Sequence, residues 1–137
     1  MDKDLLIKKL TAYFSDQDDI EIVYLFGSVA KGKNRRSSDV DIAVLFSEGM
    51  PLLERFERKL EIAGELEEML GTEADVIDLE EADIYFVRQV MLNKKLLIDK
   101  NVHRRVKFEV NSRRIFFDMK PFYDMYHEQA LKRLERE

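Results

Sequence analysis

The 137-residue chain contains no cysteine, so it has neither a disulfide nor a thiolate metal site to build with. Its two histidines, His103 and His127, stand far apart on segments of helical pattern and read as surface or packing residues, not metal ligands. No apolar run is long enough to span a bilayer. The opening stretch MDKDLLIKKL is acidic and amphipathic, unlike a signal peptide, and with the missing cysteine it sets the expectation of a cytoplasmic protein without a membrane partner. Internal repeats, low-complexity tracts and linkers are absent as well. What is present is globular: 45% of residues are apolar and 37% charged, a length and balance that predict one domain spanning residues 1–137.

A net charge of −5 argues against general nucleic-acid binding, and no direct contact with nucleic acid is expected. Cations gather locally at residues 31–36 and 104–114; from charge alone these read as a solvated loop and a solvated helix face.

Hydrophobic periodicity orders the chain. Leu6, Leu10 and Tyr13/Phe14 recur at helical spacing over residues 3–14. IEIVYLF (20–26) and DVDIAVLF (39–46) read as strands, and ADVIDL (74–79) as a third. Between them Pro51 opens a periodic helix that runs to Gly71, a C-cap. Residues 82–92 read as helix, 95–99 as a short extended segment, and 102–136 as helix with a break at Pro121. The fold class is therefore α/β of the α+β type: a small mixed sheet flanked by helices, with a helical C-terminus.

The chemistry concentrates in YLFGSVAKGKNRRSSDVDIAVLF, residues 24–46. Its first half nearly spells a P-loop through Gly27, Gly32 and Lys33, but Asn34 stands where a magnesium-binding hydroxyl belongs, and a strand follows where a helix is required. The second half carries Asp39 and Asp41. At i and i+2 on a strand these carboxylates leave the same face, with Cα atoms roughly 6.5–7 Å apart. That spacing suits a shared pair of divalent cations, without which the like charges repel. Gly27 allows close backbone approach to an anion, and Ser28 adds a hydroxyl and an amide.

Gly-Ser, ten residues, then Asp-x-Asp resembles the signature of the DNA polymerase β-like nucleotidyltransferase superfamily. The fuller run, the later ADVIDLEEAD and the LLID segment are similar to its minimal nucleotidyltransferase (MNT) branch, the antitoxins paired with HEPN ribonuclease toxins. The resemblance implies that Gly27 and Ser28 contact nucleotide phosphates and that Asp39 and Asp41 hold metal ions. A third carboxylate on a neighbouring strand completes such a site. Asp75 and Asp78 are the candidates; an odd offset puts them on opposite strand faces, and the family pattern favours Asp75 at the strand's start. The implied activity is transfer of AMP from ATP, with two Mg²⁺ ions, to a hydroxyl (that of a tyrosine) on a partner HEPN toxin, in a hetero-oligomer that silences the toxin. Two alternatives stand beside it: an antitoxin that blocks its toxin by occupancy, and transfer to a small molecule. The C-terminal RIFFDMKPFYDMYHEQAL crowds aromatic and methionine side chains into one span, and reads either as a partner surface or as a tail docked on its own sheet.

Overall fold

A computed structural model describes residues 2–27 and 40–136. Helix α1 (Lys3–Ser15) starts where the Asp2 side chain accepts a hydrogen bond from the Asp4 amide, and buries Leu6, Leu10 and Phe14. Strands β1 (Ile20–Phe26) and β2 (Val40–Phe46) follow, then helix α2 (Leu52–Leu70), which ends at Gly71 in the left-handed conformation. Strand β3 (Ala74–Asp78), helix α3 (Ile84–Asn93), strand β4 (Lys95–Asp99) and the long helix α4 (Val102–Glu135) complete the described chain.

The strands lie in one mixed sheet, order β3-β2-β1-β4. Strand β1 runs antiparallel to both β2 and β4, whereas β2 and β3 are parallel and are joined through α2, the kind of crossover a parallel pair needs. Both faces of the sheet are covered, which is why β1 and β2 are nearly continuous apolar runs instead of alternating ones. One face sets Val23, Leu25, Ile42, Val44 and Val76 against Leu10 and Phe14 of α1 and Ile62 and Leu66 of α2. The other sets Ile22, Tyr24, Ala43 and Leu45 against Val87 and Val90 of α3, with Phe108 of α4 at its margin.

Charged side chains tie these layers together. The Lys100 ammonium donates to the Phe14 and Gln17 carbonyls at 3.2 and 2.7 Å, closing the C-terminal end of α1. Arg104 donates to the Glu21 carboxylate at 2.9 Å, and Arg105 to Asp99 at 2.6 Å. The start of the 104–114 cation cluster is thus a clamp between α4 and the sheet, not the solvated face expected from charge alone; Arg113 and Arg114 do remain exposed. Sequence cannot separate the two roles, because the acids that turn Arg104 and Arg105 inward lie on other elements.

Tyr24 holds α4 as well, through the Glu109 carboxylate that also pairs with Arg105. Its ring is fully buried, and its hydroxyl donates to Glu109 at 2.6 Å. Burial, then the neighbouring carboxylate, push the phenol above its ordinary pKa. We expect Tyr24→Phe to cost about 1–2 kcal/mol in denaturant unfolding near neutral pH. Because the folded phenol holds its proton more tightly than the unfolded one, this stabilisation is complete below the unfolded pKa of about 10 and declines above it. The wild type should therefore lose stability through that range faster than the variant does.

The expected break at Pro121 does not occur: α4 continues through it. Proline removes the amide that would bond the Phe117 carbonyl, but this part of α4 is exposed, so water can take that carbonyl and the helix persists. Past this point α4 leaves the sheet behind. Tyr85 of α3 stacks on Tyr123 with centroids 4.0 Å apart and meets Phe116 edge-on at 5.2 Å. Beyond those contacts Phe122, Met125 and Tyr126 are 69%, 54% and 71% exposed, so the aromatic tail does not fold back onto its own sheet.

Candidate functional site

Register brings the candidate acids together. In the parallel β2–β3 pair, Asp41 stands directly beside Asp75, and in the antiparallel β1–β2 pair it stands beside Phe26. Register partners on adjacent strands share a face, so the Asp41 and Asp75 side chains emerge on the same side of the sheet at the same level. Asp41 is half-buried and Asp75 exposed, so the pair opens to solvent. Gly27, the residue after β1, closes the other flank with φ of +79°. A Cβ there would run into the Asp41 carboxylate, with Asp41 Cγ only 3.3 Å away. Glycine is required at this position twice over, by its backbone conformation and by the space the carboxylate occupies. Asp39 and Ser28 lie outside the described residues, as do the cations of residues 31–36.

Asp78 belongs to a different environment. It is 5% exposed, on the opposite face of β3, and forms a salt bridge with the buried Arg55 guanidinium of α2. Its second oxygen accepts from the Glu80 amide at 3.1 Å, and Arg55 Nε donates to the Met50 carbonyl at 3.0 Å. A carboxylate committed to a buried guanidinium and a turn amide has little capacity left for a ligand. Asp75 and Asp78 therefore separate by environment as well as by strand face.

These observations predict a reversed pair of phenotypes. On the expectation that Asp75 accepts the proton of the attacking hydroxyl, Asp75→Asn should lower the catalysed rate about a hundredfold or more, with the melting temperature almost unchanged. Asp78→Asn should keep most of the rate in the folded fraction but lose about 3 kcal/mol of stability, because the Arg55 charge is left buried without its partner. Rate assays with matched thermal melts check both; the opposite ranking of rates would move the site to the other face of β3.

The donor set suits a hard divalent cation, which takes carboxylate oxygens and tolerates an open, partly hydrated position. No cluster of three metal-ligating side chains occurs among the described residues. Asp41 and Asp75 supply two carboxylates from adjacent strands, and the missing Cβ of Gly27 keeps the backbone clear beside them. Next to these acids lies an aromatic edge that the sequence reading missed. Phe26 meets Phe86 of α3 edge-on with centroids 5.8 Å apart, and Phe86 is 39% exposed. The strand parity Phe26 shares with Tyr24 and Ile22 was a usable signal for its side; its partner on α3 was not legible. His103 and His127 are exposed, and His127 packs on the Tyr123 ring at 4.4 Å.

Among named relatives, protein adenylyltransferase MntA of Shewanella oneidensis is 35% identical over 78 residues, covering 57% of this chain and 53% of that protein. The chain thus spans about half the length of that relative. Among solved structures, a chain of a toxin–antitoxin complex with AMP-PNP superposes with a TM-score of 0.75 at 24% identity, over 96% of this chain and 99% of that one. A chain from the complex of tri-AMPylated Shewanella oneidensis HEPN toxin with MNT antitoxin gives 0.74 at 21%, over 95% and 99%. At these identities the structural likeness is one of fold, and it extends through the mixed sheet and the C-terminal helix. Residues 8–103 match the family described as polymerase beta, nucleotidyltransferase, and so include Gly27, Asp41 and Asp75. By that match the chain belongs to the polymerase β nucleotidyltransferase family.

Proposed function

We propose that this chain is a Mg²⁺-dependent protein adenylyltransferase that moves AMP from ATP to a tyrosine hydroxyl of a partner HEPN toxin and thereby acts as an antitoxin. The observation that carries the proposal is the level pairing of Asp41 with Asp75, with Gly27 pressed against the Asp41 carboxylate. Asp39, two residues before Asp41 in the Asp-x-Asp motif, joins the set on the strength of that motif. Asp39, Asp41 and Asp75 would hold two Mg²⁺ ions, which when bound neutralise triphosphate charge.

The chain's own residues then have separate tasks. Gly27 and Ser28 bind the phosphates by close backbone approach and a hydroxyl. Asp75, the exposed member of the pair, accepts the proton of the attacking hydroxyl. The hydroxyl oxygen forms its bond to the α-phosphorus as the bond from that phosphorus to the bridging oxygen breaks, and pyrophosphate leaves. The Phe26–Phe86 edge gives the cleft an apolar wall beside the carboxylates.

A protein acceptor fits the rest of the molecule. Family matching stops at residue 103, whereas α4 extends to Glu135 and exposes Phe122, Met125 and Tyr126. Aromatic and methionine side chains in that position favour an interface. No helix among the described residues is long and apolar enough to cross a membrane. We take the chain to work as a single cytoplasmic domain.

The relevant experiment incubates the purified chain with ATP, Mg²⁺ and the protein encoded next to it as candidate toxin, then reads that protein by intact mass and peptide mapping. Adenylyl groups on a tyrosine support the proposal. An unmodified toxin that is nevertheless silenced in a tight complex would make the chain an occupancy antitoxin on a nucleotidyltransferase fold.

A further inference from the structure

Helix α2 carries exposed apolar residues along one flank of its outward side. Its buried face consists of Arg55, Ile62, Leu66 and Leu70. At 100° per residue, Gly64 points almost directly away from that face, and Leu53, Leu60 and Phe56 run down one flank, about 35°, 55° and 95° round from the outermost line, which Glu57 and Glu68 border on the other side. Leu53, Phe56 and Leu60 are 69%, 50% and 57% exposed, and with Gly64 they follow the i, i+3, i+7, i+11 spacing of a helix–helix seam. Leu52 and Lys59 extend the patch into a shallow groove reaching Glu81.

Gly64 is a second, independent observation. It sits mid-helix without a positive φ, and a Cβ built there meets nothing within 4 Å. Neither its backbone nor its packing in this chain calls for glycine, which is among the least favourable residues in a helix interior. What the missing side chain does provide is room outside, where another helix can approach at the short end of the interaxial range.

The rim of the patch identifies the occupant by charge. Arg55 and Arg58 turn inward to Asp78 and Asp19, and Lys59 lies over the Phe56 ring at 5.2 Å, while Glu54, Glu57 and Glu68 are exposed and make no ion pair among the described residues, so acids outnumber the one cation at the patch. A second copy packed on this face would set glutamate against glutamate, which is repulsive. We propose that the outward face of α2 docks an amphipathic helix of a partner protein, with an apolar stripe flanked by lysine and arginine and its backbone closest at Gly64. This rests on the reading that the chain acts on a protein partner, and it places part of that contact on α2, away from the aromatic end of α4.

The test measures, by titration calorimetry, binding of the full chain to the protein encoded next to it, for wild type, Gly64→Arg and the double variant Glu57→Lys/Glu68→Lys. Gly64→Arg should raise the melting temperature by about 4 °C, since arginine is the better helix former, yet weaken binding at least tenfold. The charge reversal should weaken binding and flatten its dependence on salt. Wild-type binding that both variants match overturns the inference and leaves the partner reading intact. Absence of any wild-type complex fails the partner reading, and the inference falls with it. A wild-type homodimer in light scattering that Gly64→Arg dissolves would assign the face to a second copy, and would also overturn the proposal.

Discussion

Asp41→Asn is expected to reduce adenylyl transfer about a thousandfold while the protein melts at or slightly above the wild-type temperature. The rate estimate comes from the charge stabilisation that a carboxylate-held cation contributes in phosphoryl chemistry. That is several kcal/mol, and about 4 kcal/mol corresponds to three decades in rate. The stability estimate comes from geometry. Asp41 and Asp75 lie side by side on adjacent strands, so removing one charge relieves repulsion in the metal-free protein. Asparagine keeps the shape of aspartate, so the slot left by Gly27 still accommodates it. A purified, folded Asp41→Asn sample with full activity would remove Asp41 from the mechanism.

Arg55→Ala should have the largest effect on folding, a loss of about 3–5 kcal/mol in denaturant unfolding. Arg55 and Asp78 are 8% and 5% exposed. The pair fastens α2 to the end of β3, and Arg55 also bonds the Met50 carbonyl just before that helix begins. Truncating the guanidinium leaves the Asp78 carboxylate buried, with only the Glu80 amide to stabilise its charge. Glu80, with an oxygen 3.9 Å from Arg55, gains nothing from the change. Replacing both partners together, Arg55→Met with Asp78→Leu, should recover much of the loss, as buried ion pairs exchanged for apolar groups generally do. A single variant as stable as wild type would show that the pair is better hydrated than its burial indicates.

The elements were legible where one physical signal dominated. The β-branched, aromatic run of residues 20–26 could only be a buried strand, and the strand has those bounds. Gly71 ended α2 as read, because a left-handed C-cap favours glycine. Pro121 misled because the rule against proline in helices assumes that the carbonyl it orphans has no alternative partner. Pairings between distant residues were not legible. Parity along β3 separated Asp75 from Asp78, but nothing in the sequence registered Asp75 against Asp41, since register depends on how the α2 crossover seats β3. Nothing in the sequence marks Arg55 out among the charges of its helix, because its partner lies 23 residues further on. The same applies to Arg104 and Arg105. For Asp39 and Ser28 the case remains that of the motif itself, as both stand outside the described residues.

In the proposed reaction the attacking hydroxyl bonds to the α-phosphorus of ATP. Parallel reactions with α-labelled and γ-labelled ATP, Mg²⁺ and the protein encoded next to this chain distinguish the two phosphorus atoms. The α label should appear on that protein and the γ label should leave as pyrophosphate. Transfer of the γ label would instead make the chain a kinase of that partner.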